Sequence, residues 1–321
     1  MARWVALLLL VVAPALAQEP DAAEIRRLIA DLGDADRGVR ERSSRTLLQL
    51  GSEASPFAME ALRNPDPEVR RRARAIWRVP TWAWAARWAS YDPKTRLPLE
   101  VMDRGTCIRM VLIPAGTFRM GLDPKDPDRD GSEWPQHEVT LTRPFYMGRY
   151  EVTRSEWDRV MAAPGGPPVE GPSRPVADLS LAKIEEFLGR TRMRLPTEAE
   201  WEYACRAGSD GPRYGPVDEI AWHRQNSGRV LRRVGHRKPN AFGLYDMLGN
   251  AEELCADSFE AVCWFRKPLG LRIDPKTTKG GPTVVKGGSC RRCPTQIRAS
   301  YRISYGMWLH ETVGLRVAQD P

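Results

Sequence analysis

Three rhythms of apolar and polar residues succeed one another along this chain. The first is continuous: Val5 to Val12 run apolar behind Arg3, and Ala15-Leu16-Ala17 then places small residues at alternate positions. A positive start, a short apolar run and a small-x-small end make a secretory signal peptide over residues 1–17, with the mature chain opening near Gln18. The run is well short of the about 20 residues that cross a bilayer, and no later stretch is apolar enough to do so. An uncleaved membrane anchor is the alternative reading of the same residues. The expectation is export, to the periplasm or the extracellular space.

The second rhythm is helical. From Ala22 to about Trp77, Leu28, Leu32, Leu47, Leu48, Leu50 and Leu62 recur at helix spacing. Asp34-Ala35-Asp36-Arg37-Gly38-Val39-Arg40-Glu41-Arg42 is echoed by Asn64-Pro65-Asp66-Pro67-Glu68-Val69-Arg70-Arg71-Arg72. Each reads as a polar turn, capped by Asp, that opens a helix with Val and Arg in its first turn. The pair resembles HEAT-like helical repeats, so residues 18–79 are expected to form a small all-α arm. Such arrays usually need three or more units to stand alone, and the arm is therefore expected to lean on the next domain or on a partner. Arg70 to Arg74 fits a solvated helix face, with a binding patch as the alternative. Pro80 ends the arm, and Trp82, Trp84 and Trp88 crowd the linker assigned to residues 80–106. Indoles this dense would be sticky if exposed; they are expected to fasten the arm to the large domain.

The third rhythm has the short period of strands. Met110 to Gly121 reads as two strands around a tight turn, and Glu133 to Tyr150 as a further strand pair. Two helices interrupt them. Thr153 caps the first with Glu156 three residues on, and Thr197 caps the second with Glu200 three residues on, both capping-box spacings. Short strands with segregated helices predict an α+β domain over residues 107–321.

Composition changes this picture in three ways. Eleven Trp against seven Phe points to a loop-rich fold pinned by large aromatic anchors. The net charge of +8 raises nucleic acid as a partner, but Arg is spread widely and no basic stripe is interleaved with aromatics as single-strand binding requires. The charge instead reads as solubility and affinity for an anionic envelope surface. Cys107, Cys205, Cys255, Cys263, Cys290 and Cys293 all lie after the arm; in an oxidising compartment an even number favours disulfides, with the connectivity open. His137, His223, His236 and His310 show no metal-ligand spacing and read as surface or packing residues. The acidic stretch Asp123 to Asp130 lacks the Glu of an EF-hand loop and reads as solvated.

A run of ordered motifs carries a resemblance. Ile113-Pro114-Ala115-Gly116-Thr117-Phe118, then Phe145 to Thr153, Arg194 to Ala204, Pro239 to Asn250, Lys286-Gly287-Gly288-Ser289 and Gly314-Leu315-Arg316 resemble the formylglycine-generating enzyme (sulfatase-modifying factor) family, in its order. The resemblance implies a C-type-lectin-like fold of the expanded, loop-rich kind. It also implies a copper-dependent oxidation of a sulfatase cysteine to formylglycine, in which two cysteines after the Gly-Gly-Ser turn hold Cu(I), a metal that suits soft thiolates. Laid on that pattern, the two cysteines fall near Arg292 and Ile297. The family's Gly-Asn-x-Trp-Glu-Trp reads here Gly249-Asn250-Ala251-Glu252-Glu253-Leu254, Thr312 replaces the closing Asn, and Leu181 stands where relatives carry Trp. Cys290 and Cys293 still form a Cys-x-x-Cys beside Ser289. These three are the candidate catalytic residues if Arg291 or Arg292 lowers a thiol pKa; structural disulfides, with Cys255 or Cys263, are the other reading. Cys205 and Cys255 read as core or disulfide residues.

The resemblance further implies a structural calcium site, matched here by Asp246, Gly249, Ala251 and Glu253, two carboxylates and two carbonyls suiting Ca2+; a hydrogen-bonded turn without an ion is the alternative. The non-haem iron chemistry of the ergothioneine-type relatives is not expected, because the arm contains no histidine. Two functional readings result. One is an exported, divergent family member that binds a protein or glycan on its lectin-like face, the arm giving a second contact surface. The other is a copper-dependent oxidase with a shifted cysteine pair.

Overall fold

The computed structural model describes residues 22–50, 54, 57–58, 61, 63–77, 90–103, 105–123, 125–126, 131–133, 135–162, 171–259, 271–278, 280–305 and 310–321. The signal segment, Trp82, Trp84, Trp88, Cys263 and most of the 123–130 stretch lie outside these residues. The chain divides into two compact units, Met1–Val79 and Pro80–Pro321. Among the described residues no helix is long and apolar enough to cross a membrane.

In the first unit, helices α1 (Ala22–Ala30), α2 (Arg37–Leu50) and α3 (Pro67–Trp77) enclose Ile25, Leu32, Leu47, Val69 and Ala73. The two echoing segments fold alike, bond for bond. Asp34 Oδ1 accepts from Asp36 N at 2.7 Å, as Asn64 Oδ1 accepts from Asp66 N at 2.9 Å. Asp36 Oδ1 accepts from Gly38 N and Asp66 Oδ1 from Glu68 N, each satisfying a donor that the helix start leaves free. Arg40 and Arg70 then each reach back to two carbonyls of their own turn, at 2.6–2.8 Å.

The second unit is α+β and loop-rich. A first sheet runs in the order β1 (Glu100–Met102), β2 (Arg109–Ile113), β5 (Phe145–Gly148), β11 (Ala318–Gln319). A second runs β10 (Val313–Gly314), β6 (Glu252–Ser258), β8 (Thr283–Lys286), β9 (Arg302–Ser304), and a third β3 (Gly116–Met120), β4 (His137–Leu141), β7 (Arg272–Ile273). The segment assigned to the linker thus supplies an edge strand, β1, at its C-terminal end. The strands foreseen around residues 110–121 and 133–150 exist, but they do not pair as expected. β2 pairs with β5, Val111 opposite Met147, while β3 pairs with β4, Phe118 opposite Val139. Pro114 and Pro144, with no N–H to offer a ladder, stand where the chain crosses from one sheet to the other and back.

Both predicted capping boxes form. Thr153 heads α4 (Arg154–Met161) and Thr197 heads α6 (Glu198–Arg206), each hydroxyl accepting from the third helical N–H while the Glu there returns the bond. Between them, α5 (Leu181–Thr191) stacks Phe187 on Trp157 of α4, ring centroids 4.8 Å apart. Helix α6 is the hub of the larger core: Trp201, Ala204 and Cys205 pack with Ile113, Met147, Leu248 and Val284. After the short α7 (Val217–Ile220), residues 221–251 carry no strand longer than a single bridge. Side-chain amides pin this stretch instead: Asn240 donates to the carbonyls of Ala204 and Cys205 and accepts from Phe242 N and Leu244 N.

Candidate functional site

Strand β6 carries Glu252 and Glu253 side by side, and alternation sends their carboxylates to opposite faces. On one face, Glu253 accepts from Trp201 Nε1 at 2.6 Å and from Arg316 Nη2 at 2.7 Å, all three residues buried. The Arg316 guanidinium is completed by the carbonyls of Gly148 and Tyr245, both at 2.9 Å. Beside it Glu151 accepts from Ala251 N at 2.6 Å and Asn250 Nδ2 at 2.7 Å, and burial pushes its carboxyl well above the usual range. Gly249 is required here: its φ is +79°, and a Cβ would lie 2.4 Å from the Trp222 carbonyl oxygen. Trp201, Glu253 and Arg316 lie far apart in sequence, and they converge on this one anchor.

On the other face the departures converge. Arg292 Nε donates to Glu252 Oε1 at 2.6 Å, and Thr312 Oγ1 donates to Glu252 Oε2 at 3.1 Å. Thr312 Oγ1 also lies 3.3 Å from the buried Ser289 Oγ. Three residues scattered over the sequence, each at a position that the resemblance marks as a departure, therefore form a single hydrogen-bonded cluster: Glu252, Arg292 and Thr312. Ile297, near which the resemblance places the second cysteine, is wholly buried, its Cδ1 packed where a Cβ on Gly288 would come within 2.7 Å. A guanidinium held by a carboxylate and an aliphatic side chain offer Cu(I) no soft donor, so the residues at these two positions do not fit that metal.

The cysteines that do flank the turn behave differently from either sequence expectation. None of the five described cysteines, Cys107, Cys205, Cys255, Cys290 and Cys293, is in a disulfide. Cys205 and Cys255 pack as small apolar residues in the core, burial raising both thiols. Cys290 is also buried, and desolvation pushes its thiol up to about 12; the nearby Arg291 charge works the other way but is outweighed. The expected lowering of a thiol pKa by Arg291 is thus overturned at Cys290. Cys293 is partly exposed, its Sγ 4.0 Å from Arg224 Nη1.

The four calcium positions come together on the anchor side. Both Glu253 oxygens are taken by Arg316 and Trp201. Asp246 accepts from Gly235 N at 2.6 Å through Oδ2, while its buried Oδ1 has no hydrogen-bond partner; burial pushes this carboxyl up to about 6. Among the described residues no three His, Cys, Asp or Glu side chains are placed to hold a metal ion. An ion at Asp246 would therefore draw on the backbone carbonyls of Gly249 and Ala251. The buried histidines His137 and His223 bond the Pro135 carbonyl and Asp218 instead. Sequence reasoning missed Glu133, which lies buried against Arg298 and accepts from Ser300 Oγ at 2.5 Å; nothing local to Glu133 signals partners so far along the chain.

The sulfatase-modifying factor enzyme 1-like domain matches residues 96–321, well over half of the chain. The chain belongs to this family. Its sulfatase-modifying factor relatives include the formylglycine-generating enzyme of Thermomonospora curvata, 28% identical over 62% of this chain and 86% of the relative. They also include the chaperone protein LppX of Paenibacillus barcinonensis, 27% identical over 54% of this chain and 78% of that protein. Among solved structures, PvdO from Pseudomonas aeruginosa superposes with a TM-score of 0.62 at 28% identity, covering 72% of this chain and 100% of that one. The formylglycine-generating-enzyme fold is therefore shared.

Proposed function

We propose that this protein is an exported, divergent member of the sulfatase-modifying factor family that binds a protein or glycan partner in place of oxidising a sulfatase cysteine. The observation that carries the reading is the Arg292–Glu252–Thr312 cluster, an ion pair and a hydroxyl beside the turn where the resemblance calls for copper thiolates. A family relative named as a chaperone protein supports a binding role over a catalytic one. The copper reading with Cys290 and Cys293 as the shifted pair is disfavoured by access: Cys290 is fully buried, and only Cys293 of the two is partly exposed to an incoming ion. In this proposal the signal peptide directs export, the HEAT-like arm offers a second contact surface, and Ca2+ is a structural ion held through the free Oδ1 of Asp246.

The test is incubation of the mature protein, with and without Cu(I), with a sulfatase-motif peptide, followed by mass analysis of its cysteine. The expected result is an unchanged peptide in both arms. Conversion of the cysteine to formylglycine, lost in Cys293→Ser, would overturn the reading in favour of the oxidase.

A further inference from the structure

The loop between Ala221 and Tyr245 contains Arg224, Arg229, Arg232, Arg233, Arg237 and Lys238, and no carboxylate. It lies against the divergent cluster. Arg224 N donates to the Arg292 carbonyl at 3.0 Å, Ser227 Oγ donates to the Cys290 carbonyl at 2.8 Å, and Arg232 N donates to Asn250 Oδ1 at 2.8 Å. The carboxylates flanking the loop in sequence are engaged: Asp218 with His223 at 2.8 Å and Glu219 with Lys238 at 2.7 Å. Glu311, the neighbour of Thr312 in the chain, pairs with Arg291 at 2.5 Å. Among the described residues, Arg224, Arg229, Arg232 and Arg233 have no carboxylate partner. A charge patch of this kind, left unneutralised, attracts an anionic ligand.

The chemistry of that ligand is narrowed by two details. Unpaired bases combine a basic groove with stacking on open aromatic faces, and the one indole of this loop, Trp222, is covered by Arg237 at 3.7 Å and Arg232 at 5.7 Å from its ring centroid. Val230 stands 47% exposed among the arginines of the loop, giving an apolar contact within the basic field. A chain that alternates carboxylates with an apolar side chain uses both the charge and Val230; a sulfated oligosaccharide or a nucleic acid would engage the charge alone. Resting on the binding-module reading above, we infer that the Arg224–Arg233 loop is the docking surface for an acidic polypeptide segment laid beside the Arg292–Glu252 cluster.

The test is fluorescence anisotropy on the mature full chain with a labelled Glu/Asp-rich peptide carrying a central Leu. A Gln/Asn-substituted version, a sulfated oligosaccharide and a DNA single strand serve as competitors. The variant Arg224→Ala/Arg229→Ala/Arg233→Ala removes three exposed charges, and Arg27→Ala/Arg42→Ala/Arg45→Ala removes three exposed charges from the arm. Affinity for the acidic peptide is expected to fall about tenfold in the loop variant, each exposed charge contributing modestly, and to stay within about twofold in the arm variant. Arg229→Glu alone should reproduce the loss if the triple variant fails to fold. Equal losses in both triple variants would mean bulk charge and overturn the inference. So would tighter binding of the oligosaccharide or the DNA, or no binding of the acidic peptide. Loss of this inference leaves the binding-module reading standing, because that reading fails only on conversion of the sulfatase-motif cysteine.

Discussion

Glu252 and Glu253 are neighbours on one strand, and the two faces they look onto have opposite histories within the family pattern. On the Glu253 face, the motif residues Trp201 and Arg316 hold Glu253 in a buried ion pair, and Asn250 holds the neighbouring Glu151. On the Glu252 face, three residues that depart from the motifs of the resemblance satisfy one another. Two adjacent residues of one strand thus serve separate networks, one built of motif residues and one of residues that depart from the motifs. A family match resting on the first face says little about the chemistry at the second.

The largest expected effect tests whether the Glu253 face carries the fold. Arg316→Met leaves the Glu253 carboxylate buried without its counter-charge, and removing one partner of such a pair costs about 3–5 kcal/mol. Chemical denaturation should show that loss, or no folded second unit at all; a change below about 1 kcal/mol would break the comparison. Arg292→Ala on the opposite face should cost about 1–3 kcal/mol, the penalty of an under-satisfied buried acceptor at Glu252. It should leave the fold intact by circular dichroism. Thr197→Ala removes the cap of the helix that carries Trp201 and should cost about 1 kcal/mol in the same denaturation experiment. Added Ca2+ should raise the melting temperature of the wild type and leave that of Asp246→Ala unmoved; identical shifts in both would remove Asp246 as its ligand.

A separate effect concerns pH. Burial pushes Asp257 up to about 6, although its oxygens accept from Glu198 N at 2.8 Å and Thr277 N at 2.6 Å. A carboxyl whose folded pKa lies above its unfolded value of about 3.9 binds its proton more tightly when folded. Its contribution to stability is therefore greatest below about pH 4 and declines as pH rises to about 6. An NMR titration should place the Asp257 midpoint near 6. A midpoint near 4 would show that its two amide bonds outweigh burial.

Local chemistry was the most legible part of the sequence. Both capping boxes, and the two Asp turns of the arm, formed as their spacing indicated, because each device is complete within a few residues. The family's ordered motifs likewise disclosed the fold. What stayed hidden depends on which distant segments meet. The expected hairpins dissolved into strands of different sheets because Pro114 and Pro144 interrupt each ladder, and Glu133 found Arg298 and Ser300 more than 160 residues away. The disulfide expectation treated the five described cysteines as a redox count, whereas burial made Cys205, Cys255 and Cys290 small core residues. Glu252, Arg292 and Thr312 read as three separate departures, and only their convergence reveals a replacement.

The pairing of Glu253 with Arg316 also sets a clock. The two residues lie 63 positions apart, so a ribosome working at about 5–20 residues per second makes the acid roughly 3–13 s before its counter-charge. Throughout that interval the emerging chain holds a carboxylate that its own interior cannot yet receive. A second unit cut short before Arg316 is therefore expected not to close its core, since Glu253 would be buried without its counter-charge.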